Sequence, residues 1–515
     1  MRLLFLLSVV WGACIFWIPS HPPMVDLPQH AGQIVLLRDI LLGNSSWAEF
    51  FHINLLTPYL TAYALALPLS LFLPITVVLK LLLSIAYIAF VFMCIQIRKH
   101  VGADPRVDWL FLLSFFGFAY NWGFFTYLVA TPIGLAFILL AMKYADKPSI
   151  QRGVLVAATG TLLLVSHGLV FLFAWGVGVG LLVCAYWKAK YSSMAALPFT
   201  FLIGLCLGSY FLNISLNEPI QSYLPSGFYW GLGLSRIPKA FLYSLLANPP
   251  GISAVIVLPA MLAFFMTPWL LGLRMNRSNF MSWVPLAVVL SILLFVPAFA
   301  FHTQFIYQRF SLFLIPAYAW LFTCQAAPRP VAKPVWVHGL VVPMLIVSCW
   351  SMLSLHSLRA WRFGQEAADF DRIMTAVQPK SRALALVYDR DSKGAGNVKI
   401  YTQYPAWYQA EQSGLVDFNF GWMPSLLVRY RMDHLPGVLP GFEWNPESFD
   451  WNKNRGDNYK YFFVRSGNSM PADVFKGASC RPKLISHSGS WQVYEQNSCS
   501  KNDAPNSSFI MVNKK

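Results

Sequence analysis

The chain has 515 residues, of which 57% are hydrophobic and only 12% are charged, and its formal net charge is +16. Soluble domains carry roughly 25% charged residues, so the composition excludes an ordinary soluble protein and favours a membrane protein. The excess of Lys and Arg is typical of the inner loops of such proteins. Because no basic run is interleaved with aromatic residues, nucleic acid is not a predicted partner.

The charges divide the chain into two parts. Residues 1–355 hold 18 Lys and Arg but only 7 Asp and Glu, whereas residues 356–515 hold 20 and 15. This difference predicts a transmembrane module over 1–355 and an extracytoplasmic α/β domain over 356–499. The polar residues 500–515 are predicted to form a disordered tail.

Apolar runs in the first part predict an α-helical polytopic protein with about 11 transmembrane helices. The opening "MRLLFLLSVVWGACIFWIP" is interpreted as an uncleaved first helix, since no small-x-small cleavage site follows it. The predicted spans are 2–19, 75–97, 109–120, 123–142, 153–166, 168–187, 194–212, 253–273, 282–301, 310–325 and 336–355.

Positive clusters predict the orientation, because inner loops are enriched in Lys and Arg. Consecutive clusters are separated by an even number of spans, so all of them can lie on the cytoplasmic side with the N-terminus. These clusters are Arg98/Lys99/Arg106, Lys143/Lys147/Arg152, Lys188/Lys190, Arg274/Arg277 and Arg329/Lys333. The segment 20–74 is then an outer loop in which 30–43 and the proline-bracketed stretch 55–74 form interfacial helices. Everything after about residue 356 is periplasmic.

Four acids of the first part face outward in this topology: Asp26, Asp39, Glu49 and Glu218. Asp26 precedes Leu27-Pro28, so it could cap a helix, or it could act as a base or metal ligand at the membrane boundary. His30 follows four residues later and shares a helix face with it. Asp39 is interpreted as an ordinary charge on a surface helix.

Cationic and polar residues in later outer segments suggest binding of an anion. In "HTQFIYQRFSLFLIP", Arg309 could snorkel to the interface or bind a lipid phosphate, with His302 and Gln308 beside it. His167, at the tip of a short hairpin, is expected at the same depth. Arg236, in the long loop 213–252, is a further candidate for phosphate binding.

Two cysteines, Cys480 and Cys499, lie in the soluble part and are predicted to form a disulfide if that part is exported. The other six lie in apolar segments and are interpreted as small core residues. The sequence contains no His/Cys metal-binding pattern, nucleophile elbow or nucleotide-binding glycine loop, which argues against an ATP-driven pump.

The order of these features resembles the GT-C class of polytopic glycosyltransferases. The resemblance rests on "PPMVDLPQHA", "TPYLTAYALALPLSLFLP" and "ITVVLKLLLSIAYIAFVFMCIQIRKHVG" over about the first 100 residues, and more loosely on "LLLVSHGLVFLF" and "IYQRFSLFLIP". It implies a polyprenyl-phosphate-linked sugar as donor, inversion, and transfer to a glycan, lipid or protein at the periplasmic face of a bacterial inner membrane.

Carried onto this sequence, the resemblance implies that Asp26 is the catalytic base. His30 would then be its orienting partner or an acceptor contact, and Arg309 with His302 would neutralise the phosphate. Many members carry paired acids, whereas no Asp-Asp or Glu-Asp pair occurs in the outer loops here. A divalent metal therefore stays possible but is not predicted.

Two other classes of protein remain alternatives. A transporter or flippase of lipid-linked glycans would need ionisable groups inside its spans, and the predicted spans offer only Lys80. A non-catalytic membrane scaffold with an outer binding domain would tolerate the loss of the Asp26 carboxylate.

Overall fold

The fold is mainly helical and is seen in a computed structural model that describes residues 2–189, 193–221, 223–224, 226–231, 233, 235–246, 254–324 and 335–496. The predicted tail 500–515, the predicted disulfide partner Cys499, and the basic residues Lys190, Arg329 and Lys333 lie outside these residues.

Sixteen α-helices occur in the described ranges. They are α1 Arg2–Ile15, α2 Leu27–Leu41, α3 Leu60–Leu69, α4 Ile75–Val101, α5 Phe118–Trp122, α6 Phe125–Asp146, α7 Ile150–Ser166, α8 Gly168–Ala189, α9 Leu197–Gln221, α10 Arg236–Tyr243, α11 Ala254–Leu270, α12 Val284–Phe295, α13 Ile306–Arg309, α14 Leu314–Ala319, α15 Val335–Met374 and α16 Ala406–Gln412.

Five of these segments are long and apolar enough to cross a bilayer: Ile75–Val101, Phe125–Asp146, Gly168–Trp187, Ser193–Asn213 and Gly339–Met374. Large apolar side chains such as Ile150, Trp187 and Phe72 are more than four-fifths exposed, a pattern that suits lipid as the neighbour. The protein is an integral membrane protein, as predicted. The predicted number of 11 helices is not confirmed.

Two predicted spans are not continuous α-helices. Residues 105–116 form 3₁₀ segments, and the run 310–325 is broken into a 3₁₀ turn, α14 and a short strand. Nearly all of their side chains are buried, and Trp109, Phe111, Leu312 and Phe313 are at most 3% exposed. Irregular backbone is tolerated at this depth because protein and not lipid surrounds it.

One end of the helical region gathers the positive clusters. His100 pairs with Asp146 at 3.1 Å, and Arg98 pairs with Asp108 at 2.9 Å. Thr323, whose strand neighbour is Arg274, donates to the Gly102 carbonyl at 3.1 Å. The described members of three predicted inner clusters therefore lie together, and the residues around Asp26 lie at the opposite end.

Eleven short strands complete the described fold. They are β1 Phe51–Ile53, β2 Arg274–Met275, β3 Phe299–Ala300, β4 Thr303–Gln304, β5 Phe322–Thr323, β6 Arg382–Val387, β7 Leu415–Asp417, β8 Val428–Tyr430, β9 Tyr461–Arg465, β10 Lys483–Ser488 and β11 Trp491–Glu495. The C-terminal region holds a mixed sheet in the order β10-β11-β9-β6-β7, in which β6 is parallel to both β9 and β7. Strands β6, β9, β10 and β11 lie in the stretches "RALALVY", "YKYFFVRS" and "KLISHSGSWQVYEQ", so this region contains the sheet that an α/β domain needs.

Helix α2 differs from the interfacial helix that was predicted. It is buried on nearly all sides, because the C-terminal region covers its polar face. Gln29 accepts from the Phe420 amide at 3.0 Å, and Gln33 accepts from the Val428 amide at 3.2 Å. Asp39 is only 8% exposed and accepts from the Ser413 hydroxyl at 2.7 Å. The prediction of Asp39 as a solvated surface charge is therefore wrong.

The outer loop and the C-terminal region are joined by two further connections. Strand β1 pairs antiparallel with β8, with Phe51 opposite Tyr430. Helix α15 runs without a break through the predicted boundary at 355/356 and is about 60 Å long at 1.5 Å per residue. The last long apolar helix thus carries the C-terminal sheet directly.

Candidate active site

Asp26 lies at the start of α2, and the turn before α6 holds its backbone in place. Its amide donates to the Trp122 carbonyl at 2.9 Å, and the Val25 amide donates to the Asn121 carbonyl at 3.1 Å. Gly123 has φ +77°, and a Cβ there would lie 2.7 Å from the Asp26 nitrogen. The turn therefore requires glycine, both for its left-handed backbone and for this close approach.

The Asp26 carboxylate does not cap α2, although the residue occupies the N-cap position. Among the described residues it forms no side-chain hydrogen bond and no ion pair within 4 Å. Burial raises the pKa of Asp26 to about 7, while the charge of Arg309 lowers it and that of Glu443 raises it. A carboxyl group with this pKa can gain and lose a proton near neutral pH.

His30, one helical turn after Asp26, is held as a neutral imidazole. Its Nδ1 lies 2.9 Å from the Tyr63 hydroxyl, and its ring packs against Phe125 and Phe420. Burial, followed by the charge of Arg309, lowers the pKa of His30 to about 3. His30 can therefore donate or accept a hydrogen bond but does not carry a charge at neutral pH.

Arg309 supplies the positive charge of the site. It is 8% exposed, and its guanidinium lies 3.6 Å from the Phe124 ring centroid. Nη2 donates to the Gln304 carbonyl at 2.9 Å and Nε to the Phe305 carbonyl at 3.3 Å. Within the described residues no carboxylate lies within 4 Å of it, so it retains donors and charge for an anion.

His167 joins this group from the break between α7 and α8. It is 1% exposed, its ring packs against Tyr59 and Tyr127, and no described residue bonds to its buried Nδ1. Burial, and then the positive charge of Arg309, lower the pKa of His167 well below its usual value. The sequence placed His167 at the depth of Arg309, and the structure brings the two together.

Glu443 is the residue that sequence reasoning missed. It belongs to the C-terminal region, lines a narrow cleft together with Gln29, and is close enough to Asp26 to affect its pKa. Burial raises the pKa of Glu443 to about 7. An acid from a distant part of the chain thus lies near Asp26.

Gln308 and His302 were also predicted to bind substrate. Gln308 is buried next to Arg309, and its Oε1 has no partner among the described residues. His302 lies in the turn between β3 and β4 with φ +59°, and it is not among the groups whose charges act on Asp26 or Arg309.

Arg236 is placed for a structural task and not for the predicted phosphate contact. Its guanidinium donates to the Leu294, Trp230 and Val296 carbonyls at 2.7–2.8 Å and packs 3.8 Å from the Tyr307 ring centroid. These carbonyls include the unpaired C-terminal end of α12, which a cation satisfies. These contacts give Arg236 a structural role, and its predicted contact with a phosphate stays a prediction.

Two further predictions concern metal binding and a disulfide. No group of three or more His, Cys, Asp or Glu side chains suited to a metal ion occurs in the described part of the chain. Asp26 and Glu443 alone are too few for a complete protein ligand set. Cys480 is disulfide-bonded, and its predicted partner Cys499 lies outside the described residues.

No protein-family model and no curated protein matches the chain. Solved structures of the mycobacterial arabinofuranosyltransferase AftD are similar to it. A mutant form of that enzyme aligns with TM-score 0.50 and 11% identity over 98% of this chain and 42% of AftD. Another AftD structure aligns with TM-score 0.47 and 13% identity over 96% of this chain and 40% of AftD. The chain thus spans less than half of AftD, and the likeness supports a GT-C-like fold.

Proposed function

We propose that the protein is an inverting glycosyltransferase that moves a sugar from a polyprenyl-phosphate donor to a hydroxyl group of a glycan, lipid or protein. The observation that carries this proposal is that Asp26 and Arg309 contact the same short segment: the Asp26 amide donates to the Trp122 carbonyl, and Arg309 packs on the Phe124 ring. The two side chains form no ion pair with each other. A base and a phosphate-binding cation are the two groups that this transfer needs. The GT-C-like fold agrees with it at the level of architecture.

The proposed mechanism is a single displacement. The acceptor oxygen attacks the anomeric carbon while its proton passes to the Asp26 carboxylate. The bond between the anomeric carbon and the phosphate oxygen breaks, and its electron pair stays on the phosphate. Arg309 binds the phosphate as this charge develops, which it does effectively because apolar rings exclude water around it. His30 remains neutral and orients the acceptor or the base through its hydrogen bonds.

The location follows from the same proposal. Since the positive clusters lie at the opposite end, the site would face the periplasm, with the N-terminus in the cytoplasm of a bacterial inner membrane. A polyprenyl chain could then reach the site from the lipid. The one predicted ionisable group inside a span, Lys80, donates to the Pro19 carbonyl at 2.7 Å. Its structural role gives no support to a transport pathway.

The decisive experiment replaces Asp26. We expect Asp26→Asn to lower transfer about 10³-fold because the base is lost, with thermal stability close to wild type. The measurement uses purified protein in proteoliposomes with hexose- and pentose-loaded polyprenyl phosphates. Asp39→Asn is the matched control, since it removes an acid from the same helix but outside the site. Wild-type transfer by Asp26→Asn with any donor that the wild type uses contradicts the proposal.

A further inference from the structure

Tyr63 is the one polar side chain among the buried residues of α3. The other two are Ala62 and Ala66, which lie on the same helix face as Tyr63. Tyr63 is fully buried, and its hydroxyl lies 2.9 Å from Nδ1 of His30. Among the described residues, this nitrogen is the only hydrogen-bond partner of the hydroxyl. The aromatic ring therefore packs in the protein interior, and the hydroxyl depends on His30.

The hydrogen bond between Tyr63 and His30 satisfies both groups in one direction only. If Nδ1 carried the proton, it would donate to the Tyr63 oxygen, and the hydroxyl hydrogen would have no acceptor among the described residues. A buried donor without an acceptor is costly. If the hydroxyl donates instead, Nδ1 accepts and no hydrogen is left unpaired. The neutral imidazole then carries its proton on Nε2.

Asp26 and His30 lie one turn apart on α2. The His30 amide donates to the Asp26 carbonyl at 3.2 Å, so the two residues follow the helical path and share a face. Nε2 of His30 bonds to no described residue, and unlike the Nδ1 of His167 it is not sealed from solvent. The ring is held by Phe125 and Phe420, with 5.9 and 5.7 Å between centroids. A hydroxyl bound at Asp26 therefore lies over the same face as a fixed, unpartnered nitrogen.

We propose that Tyr63 fixes His30 in the tautomer that carries its proton on Nε2, and that His30 uses this proton to donate a hydrogen bond to an oxygen atom of the acceptor. The inference rests on the proposed function, which supplies the acceptor. An imidazole in this state has no free lone pair with which to take a proton, because Nε2 already carries one and Nδ1 accepts from Tyr63. The role of base therefore belongs to Asp26, and His30 orients the acceptor. Tyr63 is a positioning residue, since it acts through His30.

The first test reads the tautomer from the nitrogen NMR signals of ring-labelled histidine in the full-length protein in nanodiscs. Protonated and unprotonated ring nitrogens resonate in separate regions, and their couplings to the carbon-bound ring protons distinguish Nδ1 from Nε2. The signals that disappear in His30→Gln belong to His30. We expect a protonated Nε2 and an unprotonated Nδ1 in the wild type. A proton on Nδ1 overturns the proposal.

The second test removes only the hydroxyl of Tyr63. In Tyr63→Phe we expect the two His30 nitrogens to show averaged signals, because both tautomers become accessible, and kcat to fall about tenfold, the size of one neutral hydrogen bond. Tyr87→Phe is the matched control, since Tyr87 is also fully buried and its hydroxyl donates to the Leu112 carbonyl at 3.1 Å. It should leave the His30 signals unchanged. Unchanged His30 signals in Tyr63→Phe as well would overturn the role of Tyr63.

The third test compares two amides at position 30. His30→Gln keeps an N–H group near the position of Nε2, whereas His30→Asn places its amide near Nδ1. We expect kcat within about tenfold of wild type for His30→Gln and about 100-fold below it for His30→Asn. Equal losses, or the reverse order, contradict the donor role of His30.

These outcomes are separate from those of the proposed function. The NMR signals concern the resting protein and need no substrate. Transfer that survives Asp26→Asn overturns the assigned base but leaves the tautomer as measured. A proton on Nδ1 of His30 overturns this inference and leaves Asp26 as the base.

Discussion

Two polar clusters lie five residues apart in the first outer loop, and they differ in how their charges are satisfied. His21 is 4% exposed and is bonded by Glu411 at 2.7 Å, with Asp371 at 3.6 Å and the Tyr404 hydroxyl at 3.3 Å. Its ring also stacks on Trp407, with 4.3 Å between centroids. Every charge in this cluster has a partner, so it joins the loop to α15 and α16.

The Asp26 cluster is organised in the opposite way. Within the described residues, Asp26 and Arg309 have no ion-pair partner, and His167 has a buried nitrogen without a hydrogen bond. Leaving such groups unpaired costs about 1–3 kcal/mol each. The charged groups of the Asp26 cluster are therefore available to a ligand, whereas those of the His21 cluster already have partners.

The comparison between Arg236 and Arg309 has the same form. Arg236 donates through Nη1 and Nη2 to three carbonyls of its own fold. Arg309 donates through Nε and Nη2 to two carbonyls, and it lies beside an acid with which it forms no ion pair. Both residues are arginines, and both were predicted to lie in outer segments. Only the partners distinguish a structural arginine from one that can bind substrate.

After the loss of the Asp26 carboxylate itself, the largest expected effect concerns the backbone that holds Asp26. Gly123→Ala should lower transfer about 10²-fold, because the new Cβ displaces the Asp26 nitrogen and a shift of about 1 Å costs this much. The measurement is kcat in proteoliposomes, with circular dichroism to confirm folding. Gly43→Ala is the control, since Gly43 also has a positive φ, at 71°, but open space around it. Equal losses in both variants would assign the effect to backbone strain alone.

The pH dependence of transfer should reflect Asp26. The ionised form is the active base, and burial raises the pKa of Asp26 to about 7. The rate should therefore be constant above pH 7 and fall about tenfold per pH unit below it. The measurement is kcat/KM between pH 5 and 9. An acid limb near pH 4, the ordinary range of Asp, would place the base in water and not in the buried cluster.

Arg309 should affect donor binding more than protein stability. Arg309→Gln should raise KM for the polyprenyl-phosphate sugar about tenfold or more, because a charged hydrogen bond to the phosphate is lost. Arg236→Gln should instead lower the melting temperature and leave KM near wild type. The reverse pattern would exchange the roles assigned to the two arginines.

The smallest expected effect on transfer belongs to the satisfied cluster. His21→Ala should lower the melting temperature by about 2–4 °C, because Glu411 and Asp371 lose their shared partner. Transfer by the folded protein should stay within about twofold. The measurement pairs a thermal shift with kcat at a temperature below both transitions. A large loss of kcat without a thermal shift would show that this cluster also serves the reaction.

Much of the site could be predicted from local sequence. Scarce outer acids, a proline-started helix and the sidedness of the spans drew attention to Asp26, His30, Arg309 and His167, and the structure brings these four together. The resemblance to the GT-C class was needed to prefer Asp26 to Asp39, because composition and topology alone left Asp26 equally suited to a helix cap.

Other features depend on contacts between distant parts of the chain. Glu443 lies in a loop without any local signal, and only the docking of the C-terminal region brings it to Asp26. The same docking buries Asp39 and the polar face of α2. The buried 3₁₀ segments were predicted as membrane spans because an apolar composition does not show whether lipid or protein surrounds a segment.

Those buried segments also have a consequence for how the protein is made. A 3₁₀ backbone such as residues 105–116 leaves polar groups that lipid does not satisfy, so it is a poor candidate for insertion as an independent unit. We expect α4 and α6 to insert first and to shelter this segment as it enters. The Asn121–Gly123 turn, which follows this segment, supports the site. The final assembly of the site would then be a late event in biogenesis.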